Sequence, residues 1–353
     1  MGEKDLLELV RERVREIAGS ADRRYERLEV IAHPRGGGVA LEGYATSESL
    51  VWSLRSLLDR EGIRADDRAI ELLDRASPTR RLVAVSAVVH LRDEPDPRSA
   101  LLTQCVLGEE MDGLVEKGKW VLVRTGDGYL GWCSRRGVAA PGDEYERLRA
   151  ERRHFRVIAR ETLLLGAPSG DAFPVREAAF DSHLIGRTRK GSWIEVLFAD
   201  GAVGWVREEA VRPDEEIPRR PSPETVLETA KRMIGVPYLW GGTSPKGFDC
   251  SGLVHRVFGH HGVSLPRDAD RMKAALEPTW VGKEAAPGDL LFFGAERLEH
   301  VAISLGGSEI IHASGWVRME SLDPASTVYR EDLEAVWIGA GRVPGLAGRE
   351  ARR

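Results

Sequence analysis

The chain has 353 residues, 42% of them hydrophobic and 30% charged, a composition that excludes a disordered or fibrous protein and favours several folded domains. The net charge of -5 gives no electrostatic basis for binding nucleic acid. No apolar run approaches the roughly 20 residues of a membrane span, so no membrane partner is expected.

The opening MGEKDLLELVRERVRE carries charge throughout and lacks the apolar core of a secretory signal, which makes the cytoplasm the expected location. Residues 3–18 have helical periodicity, with Leu6, Leu7, Val10, Val14 and Ile17 on one stripe. Residues 27–33 and 38–44 read as strands around a Pro-Arg-Gly-Gly-Gly turn. Residues 47–62 read as a second amphipathic helix capped by Thr46 or Ser47, and 68–73 as a third strand. This α-β-β-α-β order over residues 1–80 resembles BON-type domains and carries no chemical motif, so an accessory packing module is expected.

A repeat follows. Trp120 and Trp132 stand 12 residues apart, Trp193 and Trp205 likewise, and the offset between the pairs is 73. Asp127-Gly128 recurs at Asp200-Gly201. Each unit reads as a hairpin around an Asp-Gly turn, so two small β-barrels are expected at residues 81–142 and 153–213. The pattern resembles bacterial SH3 (SH3b) domains. The segment EYERLRAERRHF between the units reads as a linker, as does PDEEIPRRPS at 213–222. Ser222-Pro223-Glu224-Thr225 then resembles a helix start, with Ser at the N-cap and Pro at the first position. It opens a last domain at 216–345.

The chemistry concentrates in residues 237–272. Gly241, Gly242 and Gly247 force an irregular loop before Cys250, and an apolar helical face follows from Leu253 to Phe258. Cys250 therefore sits at a helix start, where the dipole favours a thiolate. Cys105 and Cys133 lie in apolar strand-like contexts and read as buried packing residues; three thiols cannot all pair internally, and free thiols are expected. A nucleophilic thiol needs a base and a group to orient it. Of nine histidines, His33, His90, His154 and His183 lie in the accessory regions. His255 points away from Cys250 along the helix, and His260 and His261 fall at its end, where a cation suits the dipole. His300 and His312 remain, in two short apolar strands joined by Gly-Gly.

Together, Tyr-x-Trp-Gly-Gly at 238–242, Gly-Phe-Asp-Cys-Ser-Gly-Leu-Val at 247–254, Leu-Pro-Arg-Asp at 265–268, Pro-Gly-Asp-Leu-Leu-Phe-Phe at 287–293, His-Val-Ala-Ile-Ser at 300–304 and Ile-Ile-His-Ala-Ser at 310–314 resemble the NlpC/P60 family of papain-like cysteine peptidases. With two SH3b units in front, the chain is most similar to γ-D-glutamyl-L-diamino acid endopeptidases. The resemblance implies a multidomain α+β protein: a papain-like domain preceded by two SH3b barrels and an N-terminal α/β module. It implies Cys250 as nucleophile, His300 as base and His312 as the orienting residue, with Tyr238 beside the scissile carbonyl. It implies a peptidoglycan stem peptide as substrate, with a free L-Ala amine read by Asp249, Ser251 and Asp268. From the first SH3b unit, Glu94 and Tyr129 join them, with Glu109 in reserve. Arg267 is expected to be a structural partner. No cofactor or metal is implied. The second repeat has Ala202 where the first has Tyr129, which favours a functional rather than a structural tyrosine.

Three other readings remain in view: a non-catalytic wall-peptide-binding protein, an amidase or acyltransferase on the same scaffold, and a zinc site. Zinc is disfavoured because no fourth ligand pairs locally with Cys250. Strand periodicity adds one constraint. Side chains alternate faces, so His300 and His312 share a face only if opposed residues across their hairpin have an even sum. A two-residue Gly306-Gly307 turn gives 613 and separates them. A three-residue or bulged turn gives 614, opposes His312 to Ala302, and is therefore expected.

Overall fold

The computed structural model describes residues 3–74, 80–279 and 285–347. It contains two compact units: residues 1–80 with 112–116 and 122–131, and residues 81–111, 117–121 and 132–353.

The first unit opens with helix Glu3–Ser20, strands Leu28–Arg35 and Gly38–Ala45, helix Glu48–Arg60 and strand Ala65–Leu72. The middle strand pairs antiparallel with the first and parallel with the third. Val10 and Val14 of one helix and Leu50, Leu54 and Leu58 of the other are buried with Leu28, Ala32, Val39 and Leu41 of the sheet. These spacings of three and four put one apolar stripe of each helix on the sheet.

The 73-residue repeat is a repeat of topology. The first seven-stranded sheet runs in the order Val138–Ala139, Arg80–Ala84, Glu110–Lys117, Trp120–Thr125, Leu130–Ser134, Val88–Arg92, Leu101–Val106. The second runs Val211–Pro213, His154–Val157, His183–Lys190, Trp193–Leu197, Val203–Arg207, Glu161–Leu165, Pro174–Ala179, the same order with equivalent strands. The segment read as a linker between them is instead a helix, Asp143–Ala150. Tyr145 and Leu148, three residues apart, share one helical face and are buried with Val83, Ile185, Leu197 and Ala199. Two apolar residues among many charges are too few for a periodicity signal, but they suffice once a neighbouring surface covers them.

Tyr129 is 2% exposed, and its ring meets that of Tyr25 edge-on at 5.3 Å. Leu130 N–H, next to it, donates to Arg24 O at 2.7 Å. The equivalent Ala202 is exposed. The first repeat's tyrosine thus has a packing partner, whereas the second repeat has an exposed alanine in its place.

The last domain is built on a six-stranded antiparallel sheet in the order Glu277–Thr279, Trp337–Arg342, Leu290–Phe293, His300–Gly306, Glu309–Ser314, Trp316–Ser321. Helix Pro223–Lys231 starts as expected: Ser222 is the N-cap and its Oγ accepts from Thr225 N–H at 3.3 Å. Helix Cys250–His260 buries Leu253, Val254, Val257 and Phe258 against Val301, Ile303, Ile311 and Ala313.

If packing is the role of Tyr129, Tyr129→Ala should lower unfolding stability by about 3–5 kcal/mol, read as a lower urea midpoint, while Ala202→Tyr at the exposed equivalent position should change it by about 0.5 kcal/mol or less. A Tyr129→Phe protein with full stability and lost activity would restore the substrate role.

Candidate active site

Cys250 is the first residue of its helix, and Asp249 is the N-cap, its Oδ1 accepting from Gly252 N–H at 2.6 Å. The other carboxylate oxygen accepts from Gly241 N–H at 2.8 Å. Gly241 holds φ +77°, and a Cβ there would meet Leu101 O at 2.4 Å. A Cβ on Gly252 would meet Gly242 O at 1.9 Å. The glycines thus let the loop cross directly over the first helical turn. Arg267, 1% exposed, donates to both oxygens of Asp249 at 3.1 and 2.6 Å, to Ser251 Oγ at 2.9 Å and to Thr103 Oγ1 at 3.0 Å. It is the structural partner the motif implied.

Asp249 and Ser251, expected to meet a substrate amine, also make hydrogen bonds within the protein. Asp249 serves as helix cap and counter-ion, and Ser251 Oγ donates to Asp249 at 3.3 Å while accepting from Arg267. Asp268 is half-buried at the N-cap of helix Ala269–Ala275. Glu94 is exposed in the 93–100 loop, its N–H donating to Ser99 Oγ at 2.9 Å. Tyr129 is buried away from solvent, as described above. Glu109 is spent on an ion pair with Arg256 at 2.5 Å.

The two strand histidines meet. His300 Nε2 lies 2.7 Å from His312 Nδ1, with the rings at 80°. Ile303 opposes Ile311 and Ser304 opposes Ile310, both summing to 614, and the register then shifts so that Gly306 opposes Glu309. The turn is therefore bulged at Leu305, as the shared face required, although the loop beyond the bulge has two residues rather than three. The backbone N–H groups of Val301 and Ser251 reach Cys250, which brings the thiol to the residue that follows His300.

Behind His312 stands a residue the sequence reading missed. His312 Nε2 lies 2.6 Å from Glu320 Oε2. Arg330 donates to the same oxygen, and Arg318 Nε lies 3.2 Å from the other. The signal was present: Ser314 opposes Trp316, and the same register opposes His312 to Arg318 and Ile310 to Glu320. Extending the even-sum argument to the third strand puts Glu320 on the histidine face, one row away from His312.

Burial and the neighbouring Asp249 charge push the Cys250 thiol up to about 11, against the opposing pull of the two N–H groups and Arg267. Burial, then the neighbouring His312, takes His300 down to about 3. Burial, then Arg330 and Arg318, takes His312 down to about 3. Both shifts favour the neutral thiol and the neutral imidazole. Tyr238 is half-buried, and burial with the Cys250 and Asp249 charges raises its phenol well above the usual range, keeping it a hydroxyl donor. Trp240 is 71% exposed. Cys105 and Cys133 are buried free thiols, Cys133 pushed up to about 12 by burial.

Beneath the helix, Asp181 accepts from Arg156 and Arg256, and its Oδ1 lies 2.6 Å from His260 Nδ1. Glu109, Asp181 and His183 bring three potential metal-ligating atoms within 4.8 Å, but Arg156 and Arg256 already supply the positive charge there. His261 is not the expected helix-end cation: its Nε2 lies 2.9 Å from Thr229 Oγ1, and burial takes it down to about 4.

Residues 235–335 match the NlpC/P60 family, and residues 91–137 match the bacterial dipeptidyl-peptidase SH3 domain. This chain carries an NlpC/P60 domain behind a bacterial SH3 domain. It is 29% identical over 247 residues to a γ-D-glutamyl-L-lysine dipeptidyl-peptidase of Bacillus cereus, covering 64% of this chain and 71% of the relative. It is 29% identical over 270 residues to dipeptidyl-peptidase 6 of Lysinibacillus sphaericus, covering 73% and 98%. The crystal structure of an NlpC/P60 family protein from Bacillus cereus has the same fold, with a TM-score of 0.64 at 23% identity, covering 74% of this chain and 99% of that one.

The NlpC/P60 histidines, together with His261, predict an acid-sensitive fold. Their folded values lie below the ordinary 6.5, so the unfolded chain binds protons that the folded chain refuses. Stability should be full above about pH 6.5 and fall as pH drops toward 4. The urea midpoint should be lower at pH 5 than at pH 7.5, and His261→Gln should flatten that slope.

Proposed function

We propose that this protein is a cysteine peptidase that cleaves the γ-D-glutamyl bond to a diamino acid in peptidoglycan stem peptides, releasing the dipeptide L-Ala-γ-D-Glu in cell-wall turnover or recycling. The observations that support the reading are a helix-start cysteine reached by the backbone N–H of Val301, the residue after His300, and the hydrogen bond between His300 and His312. The relatives' names, γ-D-glutamyl-L-lysine dipeptidyl-peptidase and dipeptidyl-peptidase 6, support the bond and the release of a dipeptide.

In this mechanism the Cys250 proton passes to His300 as sulfur attacks the γ-carbonyl carbon. Since both shifts favour the neutral pair, transfer accompanies attack rather than preceding it. The oxyanion meets the N–H groups at the helix start and the Tyr238 hydroxyl. His300 then gives the proton to the departing amine as the C–N bond breaks, leaving a thioester. Water attacks the thioester, its proton going to His300, and the C–S bond breaks with the proton returning to sulfur. With Asp249, Ser251 and Tyr129 engaged within the protein, reading of the substrate's amine falls to Asp268 and Glu94.

Cys250→Ala should abolish release of L-Ala-γ-D-Glu from L-Ala-γ-D-Glu-diaminopimelate, followed by mass spectrometry, while Cys105→Ala and Cys133→Ala retain it. Acetylating the substrate's amine should cut kcat/KM by roughly 10–150-fold per lost charge-assisted contact. Equal rates on free and acetylated peptide would show an open cleft and make longer wall fragments the substrate.

A further inference from the structure

We infer that Glu320 is a positioning residue that fixes the protons of both histidines and leaves Nδ1 as the basic nitrogen of His300. The inference rests on the proposed Cys250–His300 chemistry and adds to it an atom assignment and a residue.

The argument runs outward from the carboxylate. Glu320 Oε2 receives Arg330, and its Oε1 lies 3.2 Å from Arg318 Nε. With a guanidinium group beside each of its oxygens, the carboxylate accepts hydrogen bonds and donates none. The 2.6 Å contact to His312 Nε2 therefore has the proton on nitrogen. His312 is buried and neutral, so its Nδ1 carries a lone pair. The 2.7 Å contact from that Nδ1 to His300 Nε2 then needs a proton on His300 Nε2. A neutral His300 has one nitrogen left without a proton, Nδ1. Reversing any link would set two lone pairs or two protons against each other.

Asp332 holds the far end, accepting from Arg330 Nε at 2.7 Å and from its NH2 group at 2.6 Å. The chain Asp332–Arg330–Glu320–His312–His300 alternates acceptor and donor throughout. A carboxylate without its arginines would compete for the His312 proton; with them, it orients the ring and leaves the proton in place. The charged and titratable neighbours are Arg318, Arg330 and Asp332 around Glu320 and His312, and Tyr238, Asp249 and Arg267 around Cys250. Phe293 fills the space beside His300, with ring centres 5.9 Å apart.

Glu320→Gln separates positioning from packing. The glutamine has the same shape, but its NH2 can donate to His312 Nε2. That lets the proton pattern reverse: His312 Nδ1–H donates to His300 Nε2, and His300 Nδ1 becomes protonated and useless as a base. In the full chain, kcat should fall roughly 100-fold with KM within about twofold, and the melting temperature should stay near that of the unmodified protein. Alkylation of Cys250 by iodoacetamide at pH 7.5 should slow by at least about tenfold. Long-range proton–nitrogen spectra of 15N-histidine protein should show Nε2–H, with Nδ1 unprotonated, for both histidines in the unmodified chain, and Nδ1–H in the variant.

The alkylation and nitrogen measurements need no peptide, so they judge Glu320 even if the unmodified protein fails to cleave the proposed substrate. Such a failure would instead overturn the functional reading. Protonated His300 Nδ1 in the unmodified chain would overturn the inference. So would a Glu320→Gln protein with unchanged kcat, alkylation rate and tautomers.

Discussion

Arg267 is almost completely removed from solvent, and three of the four hydrogen bonds described above for its guanidinium end on the residues flanking Cys250, the fourth on Thr103. Its partner Asp249 caps the helix, anchors the glycine loop through Gly241 and receives the arginine on both oxygens. One carboxylate therefore ties the loop, the helix start and, through Arg267 and Thr103, a strand of the first barrel. Removing one partner from such a buried pair costs about 3–5 kcal/mol, because the other is left charged and dry. Here the same loss would also release the residue that carries the thiol. The pair brings a chemical cost as well, since the Asp249 charge raises the Cys250 pKa. The backbone N–H groups of Val301 and Ser251 work against that rise, so the helix start contributes to both the placement and the ionisation of sulfur.

The sheet supplies the second constraint. Period-two alternation makes strand register a statement about which side chains meet. A bulge at Leu305 keeps His300 and His312 in phase, and the next turn brings Glu320 onto their face. Odd-numbered neighbours Val301, Ile303 and Ile311 point into the core shared with the Cys250 helix. A single pattern thus serves stability through one parity and chemistry through the other. The loop carrying Arg330 then completes the line from the sheet edge.

Much of this was legible in the sequence for a physical reason. Glycines before an apolar helical face, paired tryptophans at a fixed offset and alternating strands are local signals, and they located the helix start, both barrels and the bulged register. Long-range contacts were not legible: nothing local reveals that Tyr25 packs on Tyr129 or that Arg267 bonds to Asp249 and Ser251. Helix Asp143–Ala150 was hidden because only Tyr145 and Leu148 carry its buried face. Glu320 was recoverable, since its register follows from the turn at Gly315; Arg330 was not, because it reaches Glu320 from an irregular segment.

The central claim is that Cys250 forms a covalent bond to the substrate's γ-glutamyl carbonyl carbon. The most direct measurement is rapid acid quenching during turnover of L-Ala-γ-D-Glu-diaminopimelate, followed by intact-mass analysis and peptide mapping. The account predicts a thioester of L-Ala-γ-D-Glu on the peptide containing Cys250. An adduct on Cys105 or Cys133, or complete hydrolysis with no adduct at any quench time in a protein whose deacylation has been slowed, would contradict it.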